Sequence, residues 1–212
     1  MWRRKINGWD FQPFSCRGEK KDMLQVYTGN GKGKTTAAIG LAIRALGAGK
    51  RVYIMQFMKS LAYSEQEVLK GFAPQLCLET SGKPFFIAEE GMLTEEERKE
   101  WGKDVVVFPK GNPPADYVRL MENGLQRAEQ EALEGKYDII ILDEINVALA
   151  FDLISRAALE NLLEKIPPDA EIVCTGRKAP KWLVDRADLV TDMREVRHYY
   201  QKGILARKGI EN

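Results

Sequence analysis

The feature that most narrows the fold of this chain is an alternation of two periodicities. Short apolar runs with strand character are separated by segments whose apolar residues recur at helical spacing. The runs are Leu24 to Tyr27, Arg51 to Phe57, Leu76 to Glu79, "YDIIILD" (137–143), "EIVCT" (171–175) and "DLVTD" (188–192). Such alternation builds an α/β fold, a mostly parallel central sheet with helices on both faces. Within "YDIIILD" Ile139 to Leu142 are apolar without a break, as a parallel strand buried on both faces must be. Helices are expected over about Lys34 to Leu46, Ser64 to Lys70, Ile154 to Ile166 and within "APKWLVDRA". A further one carries Tyr117, Leu120, Met121, Leu125, Ala128 and Ala132 on one face. The helix from Lys34 is small and apolar almost all round, with Ala37, Ala38, Gly40, Ala42 and Ala45, and is expected to be buried. Thr94 and Glu97 have capping-box spacing and start a short helix, whereas "DVVVFPKGNPP" reads either as a strand or as an irregular excursion.

At 212 residues the chain fits one domain, residues 23–212, preceded by an N-terminal tail over 1–22. Lys and Arg number 32 against 31 Asp and Glu, a net charge of +1. No global field favours nucleic acid or an anionic membrane, so an anion site must be local. Cys16, Cys77 and Cys174 are widely spaced, without a CxxC pair, which argues for a reducing compartment and against a zinc cluster. The basic start has no apolar stretch after it, and no run reaches the ~20 apolar residues of a membrane span. The expectation is a soluble cytoplasmic protein with neither membrane nor nucleic-acid partners.

Between the first run and the first helix lies "GNGKGKTT" (29–36). Strand, glycine loop, Lys-Thr and helix form the context of a P-loop, in which backbone N–H groups point at phosphate oxygens. The glycines stand one residue closer than usual: only Asn30, Gly31 and Lys32 separate Gly29 from Gly33, where the common pattern has four residues. Lys34, read as an exposed loop lysine, would serve the phosphate chain, and Thr35 would give its hydroxyl to Mg²⁺. Asp143 and Glu144 end an apolar strand as Walker B acids do, and are expected to face the loop from a neighbouring strand and hold Mg²⁺ directly or through water. Arg177 ends "CTGR" at the same sheet edge, either as a phosphate ligand or as a surface ion-pair partner. Phe85, Phe86 and Ile87 are apolar in a Gly/Pro setting and suit either core packing or the wall of a pocket for a large flat ligand. His198 reads as an ordinary structural histidine.

The stretches "YTGNGKGKTTAAIGLAIRALGAGKRV", "QFMKS", "DIIILDEINVAL", "VCTGRKAPKWLVDRADLVTDMREVRH" and "GILARKGIE" together resemble the P-loop type ATP:corrinoid adenosyltransferases, from about Leu24 to Glu211. The resemblance implies transfer of the 5′-deoxyadenosyl group of ATP to the cobalt of a reduced corrinoid, with Mg²⁺ as cofactor and triphosphate released. It further implies that ATP lies in reverse along the loop, which the shortened glycine spacing suits. By the same resemblance Gly29, Asn30, Gly31, Lys32, Gly33, Lys34, Thr35, Thr36 and Arg177 bind ATP, and Lys34, Thr35 and Glu144 carry the catalysis. Thr35, Glu144 and Asp143 form the metal side, and Phe85 and Phe86 face the corrin. A homodimer, an electron-donating reductase and an enzyme of the cob(I)yrinic acid a,c-diamide type are implied too. In the family the N-terminus can form a helix over the partner subunit's site; here Gly8, Pro13 and Gly18 oppose one long helix, and Trp2, Trp9, Phe11 and Phe14 leave open either a cover over the site or a mobile tail. The chain departs from the pattern by lacking a Trp beside Phe86 and by the stretch from Gly91 to Pro114, which has no counterpart in it. The residues alone leave open a kinase or ATPase acting at the γ-phosphate, and an ATP-responsive binding module without chemistry.

Overall fold

Each of the six apolar runs named above becomes a strand of one parallel sheet. In the computed structural model, which describes residues 5–6, 9–10, 23–60, 63–204 and 206–211, the elements follow in order: β1 (Lys5–Ile6), β2 (Trp9–Asp10), β3 (Met23–Thr28), α1 (Lys34–Gly47), β4 (Val52–Phe57), α2 (Ser64–Lys70), β5 (Leu76–Ser81), β6 (Phe86–Glu89), α3 (Glu95–Trp101), β7 (Val105–Phe108), α4 (Ala115–Leu133), β8 (Ile139–Asp143), α5 (Ile145–Ala150), α6 (Arg156–Lys165), β9 (Glu171–Thr175), α7 (Lys181–Arg186) and β10 (Leu189–Asp192). The central sheet has the order β10-β3-β9-β8-β4-β5, with all pairs parallel. β1 and β2 form a short antiparallel pair. Most of the N-terminal tail, including Trp2, Phe11 and Phe14, lies outside the described residues.

Period-2 alternation assigns the side chains of β3, β4, β8 and β9 to two cores, whereas the edge strand β10 is exposed throughout. Leu24, Val26, Tyr53, Met55, Phe57, Ile140, Leu142, Ile172 and Cys174 pack with α4, α5, α6 and α7. Tyr27, Val52, Ile54, Ile139, Ile141 and Val173 pack on the other face with α1 and α2. The ladder of buried apolar residues is what a strand covered on both sides requires. Among the described residues no helix is long and apolar enough to cross a membrane.

Two local expectations need correction. α1 buries Ala38, Ala42 and Ala45 but leaves Gly40, Ile43 and Arg44 exposed, because only one face of a helix can lie on a sheet. The chain forms α5 directly after β8, and the following helix starts at Arg156, with Ser155 accepting from the Ala158 N–H at 3.2 Å. α5 has no side-chain N-cap and so no start signal in the sequence. "DVVVF" does give a strand, β7, but it pairs in parallel with β6 in a separate two-stranded sheet. Between them, α3 begins with the expected reciprocal cap: Thr94 accepts from the Glu97 N–H, and Glu97 accepts from the Thr94 N–H.

Candidate active site

The carboxyl edge of a parallel sheet collects the strand ends, and here the register brings polar side chains into one cluster. Gln56 pairs with Asp143 across β4 and β8, and Thr175 lies one step past the Leu142–Cys174 pair. β9 separates β8 from β3, so the two acids do not face the phosphate loop from an adjacent strand. Thr35 closes that gap, because α1 carries it over the sheet edge and its Oγ1 donates to Asp143 Oδ1 at 2.8 Å. Thr175 Oγ1 donates to the same oxygen at 2.6 Å, while Lys59 Nζ and Gln56 Nε2 donate to Oδ2 at 2.8 and 3.1 Å. Burial alone would push the Asp143 carboxyl up, yet Lys59 and these hydrogen bonds outweigh it and hold the group below the usual carboxylate range.

The neighbouring acid is in the opposite condition. Burial and then the charge of Asp143 push the Glu144 carboxyl up. Among the described residues no side chain donates a hydrogen bond to its carboxylate; its backbone is held, the N–H by Thr175 Oγ1 at 3.0 Å and the carbonyl by the Val147 and Ala148 N–H groups at 3.1 and 3.2 Å. Glu144 has φ 62, a left-handed conformation that a non-glycine residue adopts at a cost on the order of 1 kcal/mol or more. The strain turns β8 directly into α5. A Cβ on Gly176 would stand 3.2 Å from Glu144 Oε2, so glycine there leaves the carboxylate its room. Asn146 ties the ends of β3 and β9, donating from Nδ2 to the Gly176 and Tyr27 carbonyls at 3.1 and 3.4 Å.

The phosphate loop is held from outside and from within. Gly29 and Gly33 have φ 96 and 116. A Cβ on Gly29 would meet Asp192 and the Met193 carbonyl at 2.5 Å, so the loop lies directly on the segment after β10. The Gly31 N–H donates to the Met193 carbonyl at 2.7 Å, and Asn30 Oδ1 accepts from the Glu195 N–H at 3.2 Å. Lys34 is only 7% exposed, which corrects its reading as an exposed loop lysine. Its Nζ folds under the loop to donate to the Gly29 and Gly31 carbonyls at 2.9 and 2.7 Å, and burial lowers its pKa. Lys32 is exposed and donates to the Ile210 carbonyl at 2.8 Å, which docks the C-terminal segment on the loop. Thr36 is exposed in the first turn of α1, whose N-terminus carries no side-chain cap and leaves its N–H groups to an anion.

Beside the loop opens a cleft of ≈ 1060 Å³. Phe85 and Phe86 line it, as does Arg177, which also acts electrostatically on Lys34 and Glu144. The cleft therefore abuts the glycine loop. Phe86 is 53% exposed, at the start of β6, whereas Phe85 leans on the core against Tyr117, ring centres 6.0 Å apart. Trp101, from the stretch with no counterpart in the motif, lies edge-on to Phe86 at 4.7 Å and lines the same wall. His198 lines it too, with Nδ1 accepting from the Tyr200 N–H at 3.1 Å. Sequence reasoning missed Trp101, Gln56, Thr175 and Lys59; the "QFMKS" motif was the one signal for Lys59.

A parallel sheet with a glycine loop, Lys-Thr and two acids at its carboxyl edge defines a P-loop nucleotide-binding protein. Residues 20–212 match the family described as ATP:corrinoid adenosyltransferase BtuR/CobO/CobP, and the chain belongs to that family. The corrinoid adenosyltransferase of a Sinorhizobium species is 30% identical over 199 residues, covering 93% of this chain and 83% of that protein. Corrinoid adenosyltransferase CobA of Salmonella typhimurium is 30% identical over 193 residues, 91% of this chain and 87% of that protein. The corrinoid adenosyltransferase of Escherichia coli K12 is 28% identical over the same shares.

Proposed function

We propose that this chain transfers the 5′-deoxyadenosyl group of ATP to the cobalt of a reduced corrinoid, with the phosphate chain on residues 29–36 and the corrin in the cleft walled by Phe85 and Phe86. The observation that supports this reading is the aromatic cleft of ≈ 1060 Å³ beside the glycine loop, lined by Arg177, whose charge also acts on Lys34 of that loop. A kinase needs no such cleft at this place, and family membership disfavours both it and the binding module. Cobalt(I) attacks C5′ with its electron pair, the cobalt–carbon bond forms, the C5′–O bond breaks, and its electrons leave on the triphosphate. No proton needs to move, so no general base is required.

The protein's part is positioning and charge. Lys34, already aimed into the loop, and Arg177 take up negative charge as triphosphate departs. The donor set suits Mg²⁺, a hard cation served by hydroxyl and carboxylate oxygens. Thr35 Oγ1 and the Glu144 carboxylate, which has no side-chain donor among the described residues, would hold it; Asp143, with its acceptors used, would act through Thr35 or through water. When bound, the ion neutralises charge on the phosphate oxygens. Lys83 and Arg177 in the cleft wall suit the peripheral carboxylates of cob(I)yrinic acid a,c-diamide, the corrinoid we propose. The reading extends to a cytoplasmic homodimer supplied with electrons by a separate reductase.

The test is anaerobic incubation with ATP, Mg²⁺ and a cob(I) corrinoid, read by phosphorus NMR and by the spectrum of the light-sensitive cobalt–carbon bond. Stoichiometric triphosphate that appears only with the corrinoid is the expected result. Corrinoid-independent release of ADP would return the chain to the kinases or ATPases.

A further inference from the structure

The residue at this site with the most elaborate support is one that the roles above leave unused. Lys59 follows β4, its side chain is 12% exposed, and its Nζ reaches Asp143 Oδ2 at 2.8 Å and Thr35 Oγ1 at 3.4 Å. The ammonium thus stands between the loop hydroxyl and the strand-end carboxylate. The backbone that aims it is built for the purpose. Met58 is held at φ 58, its N–H donates to the Ser81 carbonyl at 2.6 Å, and a Cβ on Gly82 would come within 2.6 Å of the Lys59 carbonyl. Strain at Met58 and glycine at 82 are both needed to lay this turn against the end of β5. The same turn presents Met58 and Ser60 to the cleft.

We propose that Lys59 is a positioning residue for adenosyl transfer: it is the resident cation of Asp143, filling the place beside Thr35 that a divalent ion would otherwise take, so that the metal enters with the nucleotide and is held by Thr35 and Glu144. This rests on the proposed function only for what the site does. The geometry stands apart from it. A lysine without a carboxylate to hold would not be buried here, since an unpaired buried charge is strongly unfavourable. Asp143 without its lysine would be a buried carboxylate next to a second acid, Glu144, and two hydroxyls, and such a group of hard oxygen donors attracts a divalent cation.

The experiment uses the full chain without ATP or corrinoid, so its outcome is independent of the transfer assay. Binding of Mn²⁺, as a paramagnetic probe for Mg²⁺, is measured by electron paramagnetic resonance, together with the thermal midpoint with and without the ion. Lys59→Met should bind Mn²⁺ at least tenfold more tightly than the parent chain, and its midpoint should rise with added ion. Lys59→Arg, which keeps the charge, should stay close to the parent. If Lys59→Met folds only in the presence of Mn²⁺, that outcome supports the proposal as well. The double change Lys59→Met with Asp143→Asn should recover the midpoint without ion and lose the gain in Mn²⁺ affinity. Equal affinity in Lys59→Met and the parent, or a loss of stability that Mn²⁺ leaves unchanged, overturns it. A gain in Mn²⁺ affinity alongside a parent chain that transfers no adenosyl group would sink the functional reading and leave only the resident-cation role of Lys59 at Asp143 standing.

Discussion

Thr35 Oγ1 donates to Asp143 Oδ1 at 2.8 Å, joining the start of α1 to the end of β8 across the intervening strand β9. One hydrogen bond therefore couples the loop to the acid edge directly. Thr35→Ala should lower adenosyl transfer by roughly 10–100-fold, the range for losing a group that orients a metal site. It should also reduce stability by about 1–2 kcal/mol, because a buried carboxylate loses one donor. Thr35→Ser should restore most of both. Rates at saturating Mg²⁺ and urea unfolding check the pair, and a fully active Thr35→Ala chain would remove the residue from the site.

Lys34→Ala should cost transfer a hundredfold or more, as when one preorganised donor is lost, on the order of 10²–10³. Because Nζ also holds the Gly29 and Gly31 carbonyls, stability should fall too, by about 1–2 kcal/mol. Steady-state rates and the thermal midpoint read the two effects separately. Near-normal turnover in a folded variant would refute the assignment.

Phe85 and Phe86 should separate under alanine substitution. Phe86 is more than half exposed, so Phe86→Ala should raise the corrinoid KM with little change in thermal midpoint or ATP binding. Phe85 packs on Tyr117 and the core, so its loss should also destabilise, by about 1–2 kcal/mol against ~3–5 for a fully buried Phe. Trp101→Ala should behave like Phe86→Ala, since the two rings share one wall. Titration with corrinoid, alongside calorimetry with ATP, checks all three.

Gly124 lies inside α4, where alanine would normally gain about 1 kcal/mol of helix propensity. Here a Cβ would meet Ser81 Cβ and Oγ at 2.7 Å, so α4 would be pushed off β5. Overpacking costs about 1–3 kcal/mol and outweighs the gain, so Gly124→Ala should lower stability by about 1 kcal/mol. A rise in thermal midpoint would show that the contact relaxes freely.

Asp138 Oδ2 accepts from the Arg51 N–H at 2.8 Å, and that bond, then the nearby Lys50, holds its carboxyl below the ordinary value of 3.8. A depressed folded pKa means that the stabilisation is fully present above that ordinary value and is lost as pH falls through the folded one. Stability should therefore drop on acidification below about pH 4, and Asp138→Asn should make that acid limb shallower. Urea midpoints between neutral and strongly acidic pH test the sign.

Local pattern was enough for the strands and for the loop. Val52–Phe57, Ile139–Asp143 and Glu171–Thr175 are legible because burial on both faces demands unbroken apolar runs, and "GNGKGKTT" is legible because the backbone must approach phosphate closely. The sequence by itself thus determined the α/β class, the place of the phosphate loop and the strand-end acids Asp143 and Glu144. Tertiary structure alone decided that Lys34 turns inward, that Lys59, Gln56 and Thr175 converge on Asp143, and that Trp101 joins Phe86. Those contacts depend on strand order and on turns far apart in the chain. A side chain's type and spacing record which face it prefers, but not which distant group will meet it there.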